Sequence, residues 1–206
     1  VNNKKASLGQ LYCPGDKVSL DGQQLNLRHL PNSGHAKVYE PAIVALHKPI
    51  NTLCSHRDDQ GRHLIYDYLP VSKGRPWYCV GRLDFKTTGL ILITDCGTTA
   101  HKLMHPSSQI QRVYDVKVKP KVAVETLRKI SQGVQLDDGW ATVSFCKKVS
   151  DTESASWIRI GLYEGRNREI RRMLEHFHID VIRLKRVSYG CIKLDQIEQS
   201  GQHKYL

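Results

Sequence analysis

An arginine and an aspartate stand two positions apart in Gly81-Arg82-Leu83-Asp84, on a turn between two strand-like runs at 77–80 and 90–94. A turn anchored in this way can hold a charged side chain toward a cleft while the apolar flanks sit in a sheet. Asp84 could act as a nucleophile or base, or form a surface ion pair with Arg82. A second cluster bears on that choice. Asn167-Arg168-Glu169-Ile170-Arg171-Arg172-Met173 follows Glu164-Gly165-Arg166 and reads as a helix over 168–177. Helical spacing puts Arg168, Arg171 and Arg172 on one face and Met173, Leu174 and Phe177 on another. A guanidinium buried near Asp84 would keep that carboxylate ionised, and the others would suit phosphate oxygens. A third basic cluster is Arg183, Lys185 and Arg186. Tyr114, on a strand near Arg112 and Lys117, is either core or a platform for a splayed base. Ionised carboxylate, guanidinium partner and aromatic plate together suggest covalent chemistry on an unstacked nucleotide.

Competing chemistries have weaker support. His101 and His105 have the i, i+4 spacing of a zinc pair, but Lys102 stands where a general-base glutamate would follow the first histidine. Glu175-His176-Phe177-His178 has no clear third ligand. No glycine-rich phosphate loop and no Gly-x-Ser-x-Gly elbow is present. The sequence implies neither a metal nor a cofactor.

These residues need a scaffold, and the composition permits one. The chain has 206 residues, 40% of them hydrophobic and 25% charged, enough to form a core. A formal net charge of +11 points to a polyanionic partner, nucleic acid before membrane. No long apolar run, basic amphipathic helix or signal peptide is visible, so a cytoplasmic protein is expected. Six scattered cysteines without a Cys-x-x-Cys pair read as reduced, mostly buried thiols. Nothing in the pattern argues against a monomer.

Residues 1–36 form a separate region. The stretch 13–22 reads as a small hairpin, and Asn32-Ser33-Gly34 as a linker. The main body, 37–206, opens with a buried strand at 42–46. It continues through a Lys48-Pro49-Ile50-Asn51 turn, in which Asn51 tolerates positive φ, and a short element at 64–69. Helices are expected at 98–104, 122–131 and 168–177, and strands at 111–119, 141–149, 156–163, 181–187 and 192–194. The pattern is α+β, a mostly antiparallel mixed sheet flanked by a few helices.

The motifs at 81–89, 164–173 and 184–190, in this order, resemble the signatures of the RsuA/RluB-type rRNA pseudouridine synthases. The resemblance covers about 42–194. The stretches at 53–61, 103–107, 112–114 and 133–139 lean toward the RluB branch, which acts on large-subunit rRNA. The 14–22 hairpin resembles the last strands of an S4-like RNA-binding domain, of which 1–36 would be the C-terminal remnant. Asn51, Asp95-Cys96 and Ile179-Asp180 depart from the family pattern without touching its functional positions.

The resemblance implies a pseudouridine synthase fold and isomerisation of a uridine in a large-subunit rRNA hairpin, free or within a precursor particle. It implies Asp84 as nucleophile, Tyr114 stacked on the flipped uracil, and Arg171 as the nucleophile's basic partner. Arg82 would enter the RNA helix where the base has left, and Leu184 would close the other side of the base. Asn167, Arg168, Arg172, Lys185 and Arg186 are expected to contact substrate. The alternative is a non-catalytic RNA-binding or ribosome-assembly factor on the same fold.

Overall fold

The computed structural model describes residues 1–6, 15–25, 40–72 and 74–206. The chain divides into two units, Val1–Glu40 and Pro41–Leu206. In the first, β1 (Ser19–Leu20) and β2 (Gln23–Gln24) pair antiparallel across Asp21-Gly22. Both turn residues have positive φ, 48° and 81°, as a two-residue turn matching strand twist requires. The start of the expected hairpin at Cys13-Pro14 and the linker at 32–34 lie outside the described residues.

The second unit is built on one large twisted sheet. Its strands are β3 (Ile43–Lys48), β4 (Tyr78–Val80), β5 (Thr87–Thr94), β6 (Arg112–Lys119), β9 (Phe145–Asp151), β10 (Ser156–Leu162), β11 (Asp180–Tyr189), β12 (Ile192–Lys193) and β13 (His203–Tyr205). The order is β13-β3-β5-β11-β6-β10-β9, with β4 beside β5 and β12 beside β11. A small hairpin, β7 (Val134–Leu136) with β8 (Gly139–Ala141), stands apart from it. The helices are α1 (Gly97–Met104), α2 (Val124–Ser131) and α3 (Glu169–Glu175).

Period-two alternation explains how the sheet buries one face. Along β6, Tyr114, Val116 and Val118 are buried, while Asp115 and Lys117 between them are half-exposed. The buried side joins Ile158, Ile160 and Leu184 from neighbouring strands with Leu127 and Ile130 of α2 and Met173 and Leu174 of α3. Part of the other face is closed by a smaller cluster, with Ala100 of α1 and Leu194 and Ile197 packed on Leu90, Leu92 and Tyr189.

The one parallel pairing of the described sheet joins β5 to β11, with Leu184 opposite Thr87 and Arg186 opposite Gly89. There the strands approach so closely that a Cβ on Gly89 would overlap the Arg186 carbonyl oxygen, and Gly89 has φ +104°. Glycine alone fits that joint. This pairing also explains why β5 starts at Thr87 and not at Leu90. The polar Thr87-Thr88 pair is drawn into the sheet by main-chain bonding that side-chain polarity does not reveal.

Other elements lie near their expected places with physical reasons for the differences. The short element near 64–69 is a 3-10 turn, Ile65–Tyr68. The expected strand at 141–149 is two strands, β8 and β9, separated at 142–144. The short β13 at the sheet edge was not anticipated, since His203-Lys204-Tyr205 carries no alternation of apolar and polar residues. The five described cysteines are all free, but four are only half-buried and Cys191 is exposed.

Candidate active site

Asp84 occupies the loop between β4 and β5, and three separate pieces of main chain or side chain brace it. Lys48, the last residue of β3, is fully buried. Its ammonium donates to the carbonyl oxygens of Thr87 at 2.8 Å, Pro49 at 3.0 Å and Asp84 itself at 3.3 Å. Burial lowers its pKa to about 8, against an opposing pull from Cys54 and Asp84. Asn51, in the left-handed conformation the sequence suggested (φ 58°), donates its main-chain N–H to the Phe85 carbonyl at 2.9 Å. The Cys54 thiol lies against the Leu83 main chain, 3.4 Å from its oxygen and 3.5 Å from its nitrogen. Burial pushes that thiol's pKa up, so it sits there as a neutral group. A Thr87 N–H bond to the Asp84 carbonyl, 2.9 Å, closes the turn. The half-buried carboxylate is thus carried on a loop fixed from below, with its own oxygens left facing a cleft.

That cleft has two continuous lobes sharing Arg82, Leu83, Asp84, Gly165, Arg166 and Arg168. The smaller, an open recess of about 440 Å³, adds Thr87, Tyr114, Leu162, Glu169, Ile170 and Leu184. Tyr114 and Leu184 are only 7% and 6% exposed, so they form an aromatic and an aliphatic wall beside the carboxylate. The larger lobe, about 1460 Å³, runs past Phe85, Met104 and Asn167. Arg82 is exposed at the shared rim. A recess with an aromatic and an aliphatic wall, the Asp84 and Glu169 carboxyl groups and a cationic rim suits a planar base whose backbone stays outside.

The arginine cluster behaves differently from a single helical face. Arg168 is the residue before α3, with φ 49° and ψ 30°, and the left-handed turn swings it into the cleft. Arg171 points to β11, where its Nη1 donates to the Val181 carbonyl at 3.2 Å and its buried Nε has no partner. It forms no ion pair with Asp84 among the described residues. Burial and Arg168 lower its pKa, while the charge of Asp84 opposes them, so the two groups feel each other through space. Arg172 leaves in a third direction, bonding Asp137 at 2.5 Å and Asp138 at 2.7 Å. It ties α3 to the β7–β8 turn and lines neither lobe.

The third basic cluster is also divided by the sheet. Leu184 faces the cleft, so Lys185 projects from the opposite side of β11. Arg186 is 2% exposed and lines neither lobe. Its Nε donates to the Leu90 carbonyl at 2.6 Å and its guanidinium lies 5.1 Å from the Tyr189 ring centre. It shares the buried phase of β11 with Leu184, and the register sets it opposite Tyr114. The supposed basic surroundings of Tyr114 separate likewise. Lys117 is on the other face, and Arg112 is buried in bonds to Tyr163, Met104 and Tyr189.

One residue absent from the sequence reading lies in the smaller lobe. Glu169 is 3% exposed, with Oε2 accepting the Arg166 main-chain N–H at 3.0 Å and Oε1 unpartnered. Burial raises its pKa to about 7, and the negative charge of Glu164 adds to the rise. Glu164 also holds the Arg166 side chain at 3.0 Å. The 164–169 turn is therefore organised by two carboxyl groups. Lys48 and Cys54 were equally unmarked, one at the end of an apolar run and the other a lone cysteine.

Residues 42–176 match the family model described as RNA pseudouridylate synthase. A ribosomal large subunit pseudouridine synthase B of Xylella fastidiosa (strain Temecula1 / ATCC 700964) is 39% identical over 208 residues, covering 98% of this chain and 42% of the relative. The protein of the same name from Salmonella typhi is 40% identical over 196 residues, covering 94% and 65%. The chain thus spans less than half the length of the first relative. A crystal structure of a pseudouridylate synthase shares the fold with a TM-score of 0.69 at 24% identity, over 81% of this chain and 70% of the other. An H/ACA RNP bound to a substrate RNA containing 2'-deoxyuridine gives a TM-score of 0.58 at 16% identity, over 75% and 49%.

Proposed function

The chain belongs to the RNA pseudouridylate synthase family, and from that premise we propose that it isomerises a uridine of large-subunit ribosomal RNA to pseudouridine. The observation that carries the reading is the braced Asp84 carboxylate between the Tyr114 and Leu184 walls. A uridine flipped from a hairpin, free or within a precursor particle, enters the smaller lobe and is sandwiched between those two side chains. Arg82 fills the gap left in the RNA, while Asn167 and Arg168 take the backbone at the rim. Asp84 is the nucleophile that lets the bond between N1 and the ribose break. The detached uracil turns and rejoins the ribose through C5, then gives up its C5 proton as N1 gains one. Tyr114 assists that proton transfer. Arg171 acts through its field on Asp84, and Arg172 acts by fixing α3 against the β7–β8 turn. The apolar walls keep water from the detached base, which separates rearrangement from hydrolysis.

Two further elements belong to the same reading. Residues 1–36 are the end of an S4-like RNA-binding domain, and 37–206 the catalytic domain. The protein works as a monomer in the cytoplasm, consistent with five free thiols among the described residues.

The test is tritium release from C5-labelled uridine in large-subunit rRNA, wild type beside Asp84→Asn. Release by wild type alone, with RNA affinity equal in both, is expected. Tight binding without release from either protein would instead support an assembly role and overturn the proposal.

A further inference from the structure

We propose that the sheet face opposite the cleft is a second RNA-contact surface, which binds backbone phosphates outside the target hairpin. The proposal rests on the RNA substrate argued above. Its foundation is the register of four adjacent strands. Directly opposed residues on antiparallel strands project to the same side. Lys147 of β9 faces Arg159 of β10, Arg159 faces Asp115 of β6, and Asp115 faces Lys185 of β11. One step along, Lys117 lies between Trp157 and Arg183. All of these alternate with Tyr114, Val116, Ile158, Ile160 and Leu184, which face the core and cleft.

The charge on this face is unbalanced in a way that folding does not favour. Asp115 is taken by Arg159 in a two-pronged pair at 2.6 and 2.9 Å. Lys117, Lys147, Arg183 and Lys185 have no carboxylate within ion-pair distance among the described residues. Lys147 opposes Arg159 and Lys117 opposes Arg183, and like charges directly across a ladder are destabilising. Four unneutralised cations on one sheet face therefore oppose stability and call for an external anion. Burial first, and then the charge of Lys185, lowers the pKa of His47 on β3, so this field extends along the sheet.

Geometry favours a nucleic acid backbone over an acidic polypeptide. Strands lie about 4.8 Å apart, so Lys147 and Lys185, three strands from each other, span about 14 Å. Cations at that spacing can follow several phosphates of a chain crossing the strands. Half-exposed Trp157, between Ser150 and Lys117, offers a ring face to an unpaired base beside them.

The test compares wild type with the triple variant Lys117→Gln/Lys147→Gln/Arg183→Gln, none of which lines the cleft. Binding is measured by fluorescence anisotropy as a function of salt, with a long large-subunit rRNA fragment and with a minimal stem-loop. On the long fragment the variant should bind at least tenfold more weakly, with a slope of log affinity against log salt lower by about 2, since each lost phosphate contact removes about 0.7–0.9. Tritium release from the minimal stem-loop should stay within twofold of wild type. An unchanged affinity and slope on the long fragment would refute the second surface. Weakened binding of poly-glutamate with rRNA binding intact would also overturn it, assigning the face to an acidic protein. If the triple variant melts early, Lys117→Arg/Lys147→Arg/Arg183→Lys keeps the charge and must bind long RNA like wild type. Failure of the isomerase reading is visible separately, as absent release by wild type on the stem-loop.

Discussion

Lys48 is the residue through which the nucleophile loop can be disturbed without touching the cleft, and Lys48→Met does so at nearly constant volume. Two opposing terms set the outcome. The buried ammonium titrates near pH 8 instead of 10.5, so its burial costs about 2–3 kcal/mol after allowance for solvent screening. Its three charge-assisted bonds, to the carbonyls of Pro49, Asp84 and Thr87, contribute about 1.5–3 kcal/mol each, or about 4–9 together. The bonds win, and at pH 7 the variant should be less stable by about 1–7 kcal/mol. Folding depresses the pKa of this lysine, so between about pH 8 and 10.5 the unfolded chain holds more protons than the folded one. Wild-type stability therefore gains a contribution as pH rises through that window. Methionine has no such contribution, and the deficit of the variant should widen by about 2–3 kcal/mol from pH 7 to pH 10. Urea unfolding of both proteins at pH 7, 8, 9 and 10 measures it.

The same substitution should reach the chemistry. Lys48 holds the carbonyl of Asp84 itself, so its loss lets the carboxylate shift relative to Tyr114 and Leu184. A misplacement of about 1 Å costs about a hundredfold in rate. The expected result is a kcat lowered ten- to a hundredfold with KM little changed, because the rim at Arg82 and Arg168 is untouched. A variant with wild-type kcat, or a stability gap that stays constant from pH 7 to 10, would refute the bracing role.

Gly89→Ala should be among the most damaging single methyl additions, since it combines overlap with the Arg186 main chain and a positive φ. Gly97→Ala, whose new Cβ would meet only the Tyr78 ring at 3.9 Å, should leave the melting temperature nearly unchanged. Thermal unfolding of the two variants side by side checks the close approach of β5 and β11. Glu169→Gln replaces a carboxyl whose raised pKa favours folding below about 4.5 and loses that benefit as pH rises through about 7. The variant should therefore be more stable than wild type at pH 8 and lose that advantage at pH 5, as chemical unfolding at the two pH values would reveal. Equal differences at both would mean the carboxyl stays charged throughout.

The sequence made the strands of the site legible wherever side-chain period decided the structure. Residues 111–119 alternate cleanly, so β6 and the inward direction of Tyr114 could be read directly. The turn at Asn51 was legible because few residue types tolerate positive φ. What stayed hidden depends on main chain and on distance. Helical periodicity grouped Arg168 with Arg171 and Arg172, but it presumes helical dihedrals at every position. The left-handed Arg168 leaves that face, and Arg171 and Arg172, adjacent in the helix and about 100° apart around it, diverge to β11 and to the β7–β8 turn. The division of Arg186 from Lys185, by contrast, follows plain strand alternation: Arg186 shares the buried phase of Leu184, while Lys185 stays on the far face. Lys48 and Glu169 carry charges that composition assigns to solvent. Only the folded chain brings three carbonyls to the ammonium and a main-chain N–H to the carboxyl. Those two residues, with no signal in their local sequence, brace the Asp84 loop and the 164–169 turn respectively. A charged residue beside a motif is thus ambiguous in sequence between a ligand for substrate and a brace for the loop, and burial with satisfied main-chain bonds is what separates the two.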